Sequence, residues 1–469
     1  MPAPAPRPLL VHVDVSDTLS SGWRAGIQRV VVQLVDHLRR VDGLEVVPVA
    51  WSRDLQGHRR LRPDELDDLL GPATAARRRP GAAPTPTGLR PVAATAVAQV
   101  RRALRFALRV AVLVLVVARV KDPVRDALRW LSLRTIHRDH RELAVGELPA
   151  GSVLLELDTV WNQTWVDRDR LYRQLRDRGV HVAVLVYDLL PLEHPEWFER
   201  SLVEVFDTTL TLQARHAELV MAISEATAAS FVDWSRRRGL EPPEPVVIPL
   251  GADATSPRTA RPVALPPGVL PGRYVLVVGT VEPRKNHAVL IDAFERLAER
   301  APGVQLVVVG RAGWENDAVV RRLETHPLAG TRLHWFRDAD DALLSRLYDE
   351  ALVVAVPSAT EGFGLPVIEA FLHGIPVVAS DRGALPEAGG GLAEYVAPDD
   401  VAGWVDALAR HVEDPRHNRA RRDALRAYRP PTWSDAAHRV ASVLRAEFAA
   451  PRGTPKTASG GGGTGEVFS

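Results

Sequence analysis

The chain has 469 residues, with 59 lysines and arginines against 58 acidic residues, and it contains no cysteine. This length exceeds one ordinary hydrophobic core, so we expect two domains. The near-neutral charge argues against nucleic acid as a partner. The lack of cysteine excludes disulfides, thiolate metal sites and a cysteine nucleophile, and a cytoplasmic location fits it.

Short apolar runs recur in the first half of the chain and predict buried strands near residues 9–15, 44–50, 152–157, 180–186 and 219–223. Helical patterns lie between several of them, and Gly22 and Gly26 stand at the start of the first amphipathic helix. Such alternation is typical of a parallel sheet with crossover connections. We therefore assign residues 1–253 to an N-terminal α/β domain. The proline-rich N-terminus does not resemble a signal peptide, so none is expected.

A proline-rich stretch without periodicity, residues 254–272, predicts a linker. The alternation of apolar runs and helical patterns is clearer beyond it, and it predicts a doubly wound α/β domain over residues 273–430. The cleft between two such domains is the expected site. The tail, residues 450–469, is polar and rich in glycine, and we expect it to be disordered.

An insert at about residues 72–147 interrupts the N-terminal pattern. Within it, residues 97–134 carry nine basic residues against two acidic ones, interleaved with apolar side chains. Its longest uninterrupted apolar run, residues 110–118, is too short to span a bilayer, which takes about 20 residues. Peripheral contact with the inner face of the plasma membrane is therefore one hypothesis. The alternative is a helical insertion that packs on the N-terminal domain with solvated arginines.

The stretch ATEGFGLPVIEA, residues 359–370, follows an apolar strand run and carries two carboxylates. Pro366 suits the first turn of a helix, which puts Glu361 in the preceding loop and Glu369 early in that helix. We expect the cleft to be lined by the backbone N–H groups of Gly362, Phe363, Gly364 and Leu365. Carboxylates bind sugar hydroxyls, and a helix N-terminus with a nearby cation binds phosphate. The alternative is a capped helix with two exposed acids.

A second polar stretch, GTVEPRKNH, follows the first strand run of the same domain. Arg284 and Lys285 should therefore lie at the carboxyl end of a strand in the same sheet and reach the same cleft. Two triplets, residues 167–169 and 338–340, fit the DxD pattern of metal-dependent transferases. Because each precedes a helical pattern, we interpret them as helix caps and expect no metal site.

The chain resembles glycosyltransferase family 4, also called group 1, whose members are retaining enzymes of the GT-B fold, and the mannosyltransferases among them in particular. The matching stretches in the second half are VGTVEPRKN, VVVGRAGW, PSATEGFGLPVIEAFLHGIPVVAS and GALPEAGG. Weaker matches in the first half are AGIQRV, VYDLLPLEHPEWF, MAISEAT and VVIPLGAD. The resemblance implies two Rossmann-like domains facing a cleft, with residues 431–449 forming a helix that returns to the N-terminal domain.

The resemblance also implies roles for individual residues. Glu369 would bind the nucleotide ribose, Glu361 and the backbone after it the donor sugar, and Lys285 with Arg284 the diphosphate. Gly26 and Gly279 would lie close to the donor. Asp188 would be a polar cleft residue, in a position where many members carry His-Asp and this chain has Tyr-Asp; alternatively it only caps the turn before Leu189.

The function implied is retaining transfer of a mannose- or rhamnose-type hexose from a nucleotide-sugar, and the expected donor is GDP-mannose or a related deoxyhexose nucleotide. No cofactor or metal is implied. The acceptor would be a hydroxyl of a glycan, such as a lipid-linked or cell-surface polysaccharide precursor. Two alternatives stay open: a GT-B nucleotide-sugar epimerase, and a non-catalytic subunit that binds a nucleotide-sugar or a glycan.

Overall fold

Two mostly parallel β-sheets, one from each half of the chain, form the framework of the protein. The structure is a computed structural model and describes residues 7–21, 26–71, 148–252 and 263–449. The predictions for the insert at residues 72–147 and for the tail at residues 450–469 lie outside the described residues.

The N-terminal sheet has seven strands in the order β3-β2-β1-β4-β5-β6-β7. Their bounds are β1 Leu9–Asp14, β2 Leu44–Ser52, β3 Gly57–Arg60, β4 Val153–Glu156, β5 His181–Val186, β6 Leu219–Ala222 and β7 Val246–Val247. All neighbours run parallel except β2 and β3. The five strands predicted in this half are present, whereas β3 and β7 were not predicted.

Seven described helices accompany this sheet. They are α1 Ser16–Ser21, α2 Ile27–Leu38, α3 Pro63–Leu70, α4 Arg168–Asp177, α5 Leu190–Glu193, α6 Arg200–His216 and α7 Glu225–Arg237. The inner face of α2 shows why the chain is helical there, since Val30, Val31, Leu34, Val35 and Leu38 recur at helical spacing and are all buried.

The C-terminal sheet has six strands, all parallel, in the order β10-β9-β8-β11-β12-β13. Their bounds are β8 Tyr274–Val278, β9 Gln305–Val309, β10 Leu333–Phe336, β11 Val353–Val356, β12 Val377–Ser380 and β13 Glu394–Val396. Counted within the domain, this is the order 3-2-1-4-5-6 of doubly wound dinucleotide-binding folds. The predicted doubly wound α/β class is confirmed.

Seven further helices surround the C-terminal sheet. They are α8 His287–Arg300, α9 Asp317–Thr325, α10 Asp341–Asp349, α11 Leu365–Leu372, α12 Leu385–Gly389, α13 Val401–Glu413 and α14 Pro415–Leu425. Strand β11 is buried along its whole length, as expected for a parallel strand covered by helices on both faces.

The last described helix, α15 at Trp433–Phe448, packs on the N-terminal domain and not on the domain that precedes it. Trp433 is buried in the hydrophobic core of the N-terminal domain. Gly251 permits this crossing, because a Cβ atom at that position would lie 2.2 Å from the backbone nitrogen of Trp433. The backbone N–H of Ala252 also donates to the carbonyl of Pro431 at 2.9 Å. The two segments that connect the domains therefore run side by side.

Within the described ranges, no helix is both long and apolar enough to cross a bilayer.

Candidate active site

The centre of the C-terminal sheet sets the position of the site. Strands β8 and β11 are neighbours there, and the chain continues from β8 to one side of the sheet and from β11 to the other. Loops that leave two such strands in opposite directions open a crevice at their carboxyl ends. Arg284 and Lys285 follow β8 in a short 3-10 turn, and Glu361 follows β11. The topology therefore explains why three residues from distant stretches converge.

Glu361 lies between the two cations. Its Oε2 accepts a hydrogen bond from Nη1 of Arg284 at 2.6 Å, and its Oε1 accepts one from Nζ of Lys285. The hydroxyl of Ser358 also donates to Oε1, at 2.7 Å. Glu282 holds Arg284 from its other side, with 2.6 Å between Oε1 and Nε. This network fixes both cations at the crevice.

The charged groups at this site shift one another's pKa. Burial alone would raise the pKa of Glu361, but Lys285 and Arg284 hold it at about 2. Burial, together with the charge of Arg284, lowers the pKa of Lys285, although Glu361 opposes the shift. Burial also raises the pKa of Glu282. A fully ionised carboxylate thus sits between two cations, and an incoming phosphate group could take its place as their counter-ion.

The loop after Glu361 leads into α11 as the sequence predicts. Gly364 has a φ of 101°, a left-handed conformation that favours glycine, and α11 starts at Leu365 with Pro366 in its first turn. The first N–H groups of a helix have no partner within it and can bind an anion. The side chain of Phe363 packs against the core of the N-terminal domain. This loop is therefore part of the contact between domains.

Gly362 also makes a contact that the sequence did not indicate. A Cβ atom there would lie 2.3 Å from the carbonyl oxygen of Tyr187, so only glycine fits this approach of the two domains. The Gly362 carbonyl accepts a hydrogen bond from the hydroxyl of Ser224 at 2.7 Å and one from Thr227 at 3.2 Å. In this arrangement the space beside Gly362 is occupied by protein.

Glu369, predicted to bind a ribose, is the fifth residue of α11 and has only 10% of its side chain exposed. Its Oε1 accepts a hydrogen bond from Nη1 of Arg29 at 3.0 Å, and its Oε2 accepts one from the hydroxyl of Tyr348 at 3.0 Å. Arg29 belongs to α2 of the N-terminal domain, so this ion pair joins the two domains. Neither partner was identified from the sequence.

Asp188 follows β5 and faces the C-terminal domain. A Cβ atom on Gly362 would lie 3.1 Å from the Cβ of Asp188, and Asp188 lines the same cavity as Arg284. Its Oδ1 also accepts the backbone N–H of Leu190 at 3.2 Å, so the residue both caps the turn and reaches the cleft. Burial raises the pKa of Asp188, although Arg284 opposes this.

The two remaining glycines lie in different surroundings. Gly279 follows β8 with a φ of 148°, and a Cβ atom there would lie 3.4 Å from Cε of Lys285. It therefore borders the cation pair. Gly26 directly precedes α2 with a φ of 57°, and a Cβ atom there would have no neighbour within 4 Å.

A further contact between domains lies at the start of α7. The carboxylate of Glu387 in the C-terminal domain accepts the backbone N–H of Glu225, with its two oxygens at 3.1 and 3.0 Å. Ser224 caps α7, because its hydroxyl accepts the N–H of Thr227 at 3.0 Å. The same hydroxyl donates a hydrogen bond to the carbonyl of Gly362. The sequence did not indicate this second contact.

The described residues contain one group whose ligand atoms are close enough to hold a metal ion: Glu394, His411 and His417. Glu394 starts the edge strand β13 and so lies at the opposite end of the sheet from the crevice. Its carboxylate already pairs with Arg410 at 2.8 Å and with both histidines at 2.9 Å. The Nδ2 atom of Asn418 also lies 3.1 Å from Nδ1 of His411. Ion pairs among protein side chains therefore explain why these three residues lie together.

The two DxD triplets cap helices. Asp167 accepts the N–H of Arg170 at 3.0 Å at the start of α4. Asp340 accepts the N–H of Leu343 at 2.8 Å at the start of α10.

Residues 270–428, which contain the cation pair and both carboxylates, match the family described as glycosyl transferases group 1. These residues are therefore similar to a group 1 glycosyltransferase domain. The resemblance seen in the sequence is therefore confirmed for the domain that holds the site.

Two curated relatives are from Escherichia coli. The serotype-specific mannosyltransferase WbdA is 32% identical over 259 residues, which is 52% of this chain and 32% of the relative. The O-antigen chain mannosyltransferase B is 30% identical over 235 residues, which is 48% of this chain and 58% of the relative. The chain thus spans less than two thirds of the length of either relative.

The fold also matches a solved structure, that of Anabaena Alr3699/HepE in complex with UDP and glucose. That structure aligns with a TM-score of 0.57 and 17% identity, covering 93% of this chain and all of the other. At this identity the likeness shows the fold, which is GT-B.

Proposed function

We propose that this group 1 glycosyltransferase moves a hexose from a nucleotide-sugar donor to a hydroxyl of a glycan. The main support for this proposal is that Arg284, Lys285 and Glu361 converge beside the N-terminus of α11. These groups have the charges that a sugar diphosphate needs, and they lie at the topological switch point where doubly wound sheets bind ligands.

Cleavage of the donor leaves negative charge on the departing diphosphate and positive charge on the anomeric carbon. Lys285, Arg284 and the first N–H groups of α11 would stabilise the diphosphate as it leaves. In this proposal Glu361 orients both cations before the donor binds and then contacts the sugar. Glu369 would accept hydrogen bonds from the ribose hydroxyls, and these would replace the hydrogen bond that it accepts from Arg29. No metal ion is needed in this scheme.

We propose that the transfer retains the anomeric configuration, as in family 4. In support of this, Glu361 already pairs with two cations, and Asp188 is assigned here to the acceptor hydroxyl, so this proposal uses neither as a nucleophile for the anomeric carbon. A front-face substitution fits these groups better than a covalent intermediate does. The acceptor hydroxyl then attacks from the side of the leaving group, and the leaving phosphate takes its proton. Asp188 would orient that hydroxyl.

The donor is proposed to be GDP-mannose or a related deoxyhexose nucleotide, because both E. coli relatives are named as mannosyltransferases. A panel of nucleotide-sugars tests this, first by binding and then by nucleotide release with and without glycan acceptors. We expect GDP-mannose to bind and its release of GDP to require an acceptor. Consumption without an acceptor would indicate an epimerase, and binding without any release would indicate a non-catalytic subunit.

The acceptor is proposed to be a lipid-linked or membrane-proximal glycan, reached through the basic and apolar residues 97–134. At about 1 kcal/mol for each base near an anionic surface, several arginines suffice for peripheral binding. We expect the full-length protein to co-sediment with anionic vesicles at low salt and to dissociate at high salt. Deletion of residues 88–134 should abolish co-sedimentation and leave nucleotide binding intact. If the full-length protein does not bind anionic vesicles at low salt, the insert has a structural role and does not contact a membrane.

A further inference from the structure

A cavity of about 240 Å³ lies between the domains, directly beside Asp188 and Arg284. One stripe of α6 forms much of its wall, because Leu202, Phe206 and Leu210 follow one another at intervals of four residues. The cavity therefore begins at the place where the proposed function puts the acceptor hydroxyl.

The walls of this cavity offer few hydrogen-bond partners. Among its lining residues only Asp188, Arg284 and Gln213 carry charged or amide side chains. The Nε2 of Gln213 already donates to Glu156 at 2.8 Å. The hydroxyl of Tyr187, which also lines the cavity, is likewise used, because it donates to the carbonyl of Leu157 at 2.6 Å. Sugar hydroxyls buried along the α6 wall would lose water and find few partners, whereas a hydrocarbon group would lose nothing.

The cavity follows α6 over several turns and is bordered by aromatic rings. Its lining positions on α6 run from Leu202 to Gln213, which corresponds to about 16 Å of helix at 1.5 Å per residue. Trp314 of the C-terminal domain is 42% exposed, and its ring centre lies 6.0 Å from that of Phe198. Its indole N–H donates to the carbonyl of Trp197 at 2.6 Å, which fixes the ring. Such a shape suits a chain better than a sugar ring.

We propose that this cavity binds a hydrocarbon aglycone of the acceptor, attached directly to the sugar unit whose hydroxyl faces Asp188. The inference rests on the proposed transferase function and narrows its substrate class. It places the reaction early on the glycan, at a sugar next to the lipid or aryl group, because a longer glycan would hold the hydrocarbon away from the cleft.

Calorimetric titration of the full-length protein with two glycosides tests the proposal. The probes are octyl α-mannoside, below its micelle concentration, and methyl α-mannoside. We expect the octyl glycoside to bind at least tenfold more tightly, because burial of a few methylene groups suffices for that ratio. Leu202→Gln should reduce the ratio at least fivefold by making the wall polar. The matched control is Leu270→Gln, which changes a residue that is 49% exposed and does not line the cavity; it should leave the ratio unchanged.

Equal affinity for the two glycosides, no binding of the octyl glycoside, or an unchanged ratio in Leu202→Gln would each overturn the proposal. A titration of the same samples with GDP separates this result from the transferase proposal. If GDP binds and the octyl group has no effect, the aglycone inference fails and the transferase proposal stands. If GDP does not bind, the proposal of a GDP-linked donor is contradicted, whatever the two glycosides show about the cavity.

Discussion

Replacement of Lys285 by alanine is expected to lower kcat by about a hundredfold to a thousandfold, the usual effect of removing one group that stabilises charge on a leaving group. Lys285 has 12% of its side chain exposed, and its Nζ is one of the two cations on Glu361. The variant should also bind nucleoside diphosphate more weakly, since one positive charge is lost. Steady-state kinetics with the best donor and a titration with its nucleoside diphosphate measure both effects.

The variant should remain folded, because Glu361 keeps its bonds to Arg284 and Ser358. Circular dichroism and a thermal melt check this. Arg300→Ala is the matched control: it removes a cation from the same domain, where the side chain is exposed and pairs with Glu413. Its kcat should be unchanged. A Lys285→Ala enzyme that retains a third or more of the wild-type kcat would contradict the assigned role.

Replacement of Glu361 by glutamine should lower kcat about a hundredfold while leaving the affinity for nucleoside diphosphate equal or higher. The amide keeps an oxygen for Ser358 or Arg284 but removes the charge that neutralises the two cations, so the site becomes more positive. Lys285→Ala should thus weaken diphosphate binding, whereas Glu361→Gln should not. Because the pKa of Glu361 is held at about 2, pH between 5 and 8 should not reproduce the effect of the glutamine.

Glu324→Gln serves as the control for this variant, since Glu324 is an exposed acid of the same domain that pairs with Arg337. It should change neither kcat nor affinity. Loss of diphosphate binding in Glu361→Gln as large as that in Lys285→Ala would show that Glu361 helps to bind the phosphates, and the proposed division of roles would be wrong.

The parallel strands could be predicted because buried strands are continuous apolar runs, and their parallel direction follows from the regular alternation with helices. The grouping of Arg284, Lys285 and Glu361 followed from the same rule, since each comes directly after a strand of one sheet. Strand β3, Gly57–Arg60, was missed because its sequence is GHRR and it lies at the polar edge of the sheet.

The contacts between domains could not be predicted. Arg29 and Glu369 are 340 residues apart, and nothing in the helical pattern of α2 distinguishes Arg29 from a solvated arginine. Ser224 carries a recognisable local signal, a helix cap, which hides its second hydrogen bond to Gly362. Such contacts depend on how two folded domains meet, a relation that a local sequence pattern does not contain.

We propose that the crevice at β8 and β11 transfers a hexose with retention of the anomeric configuration. Proton NMR of the first product, recorded before any anomeric exchange, measures that configuration. With the α-linked donor GDP-mannose and a glycan acceptor, we expect an α-linked product whose formation is lost in Lys285→Ala. A β-linked first product, or sugar released from the donor without transfer to an acceptor, would rule out retaining transfer at this crevice.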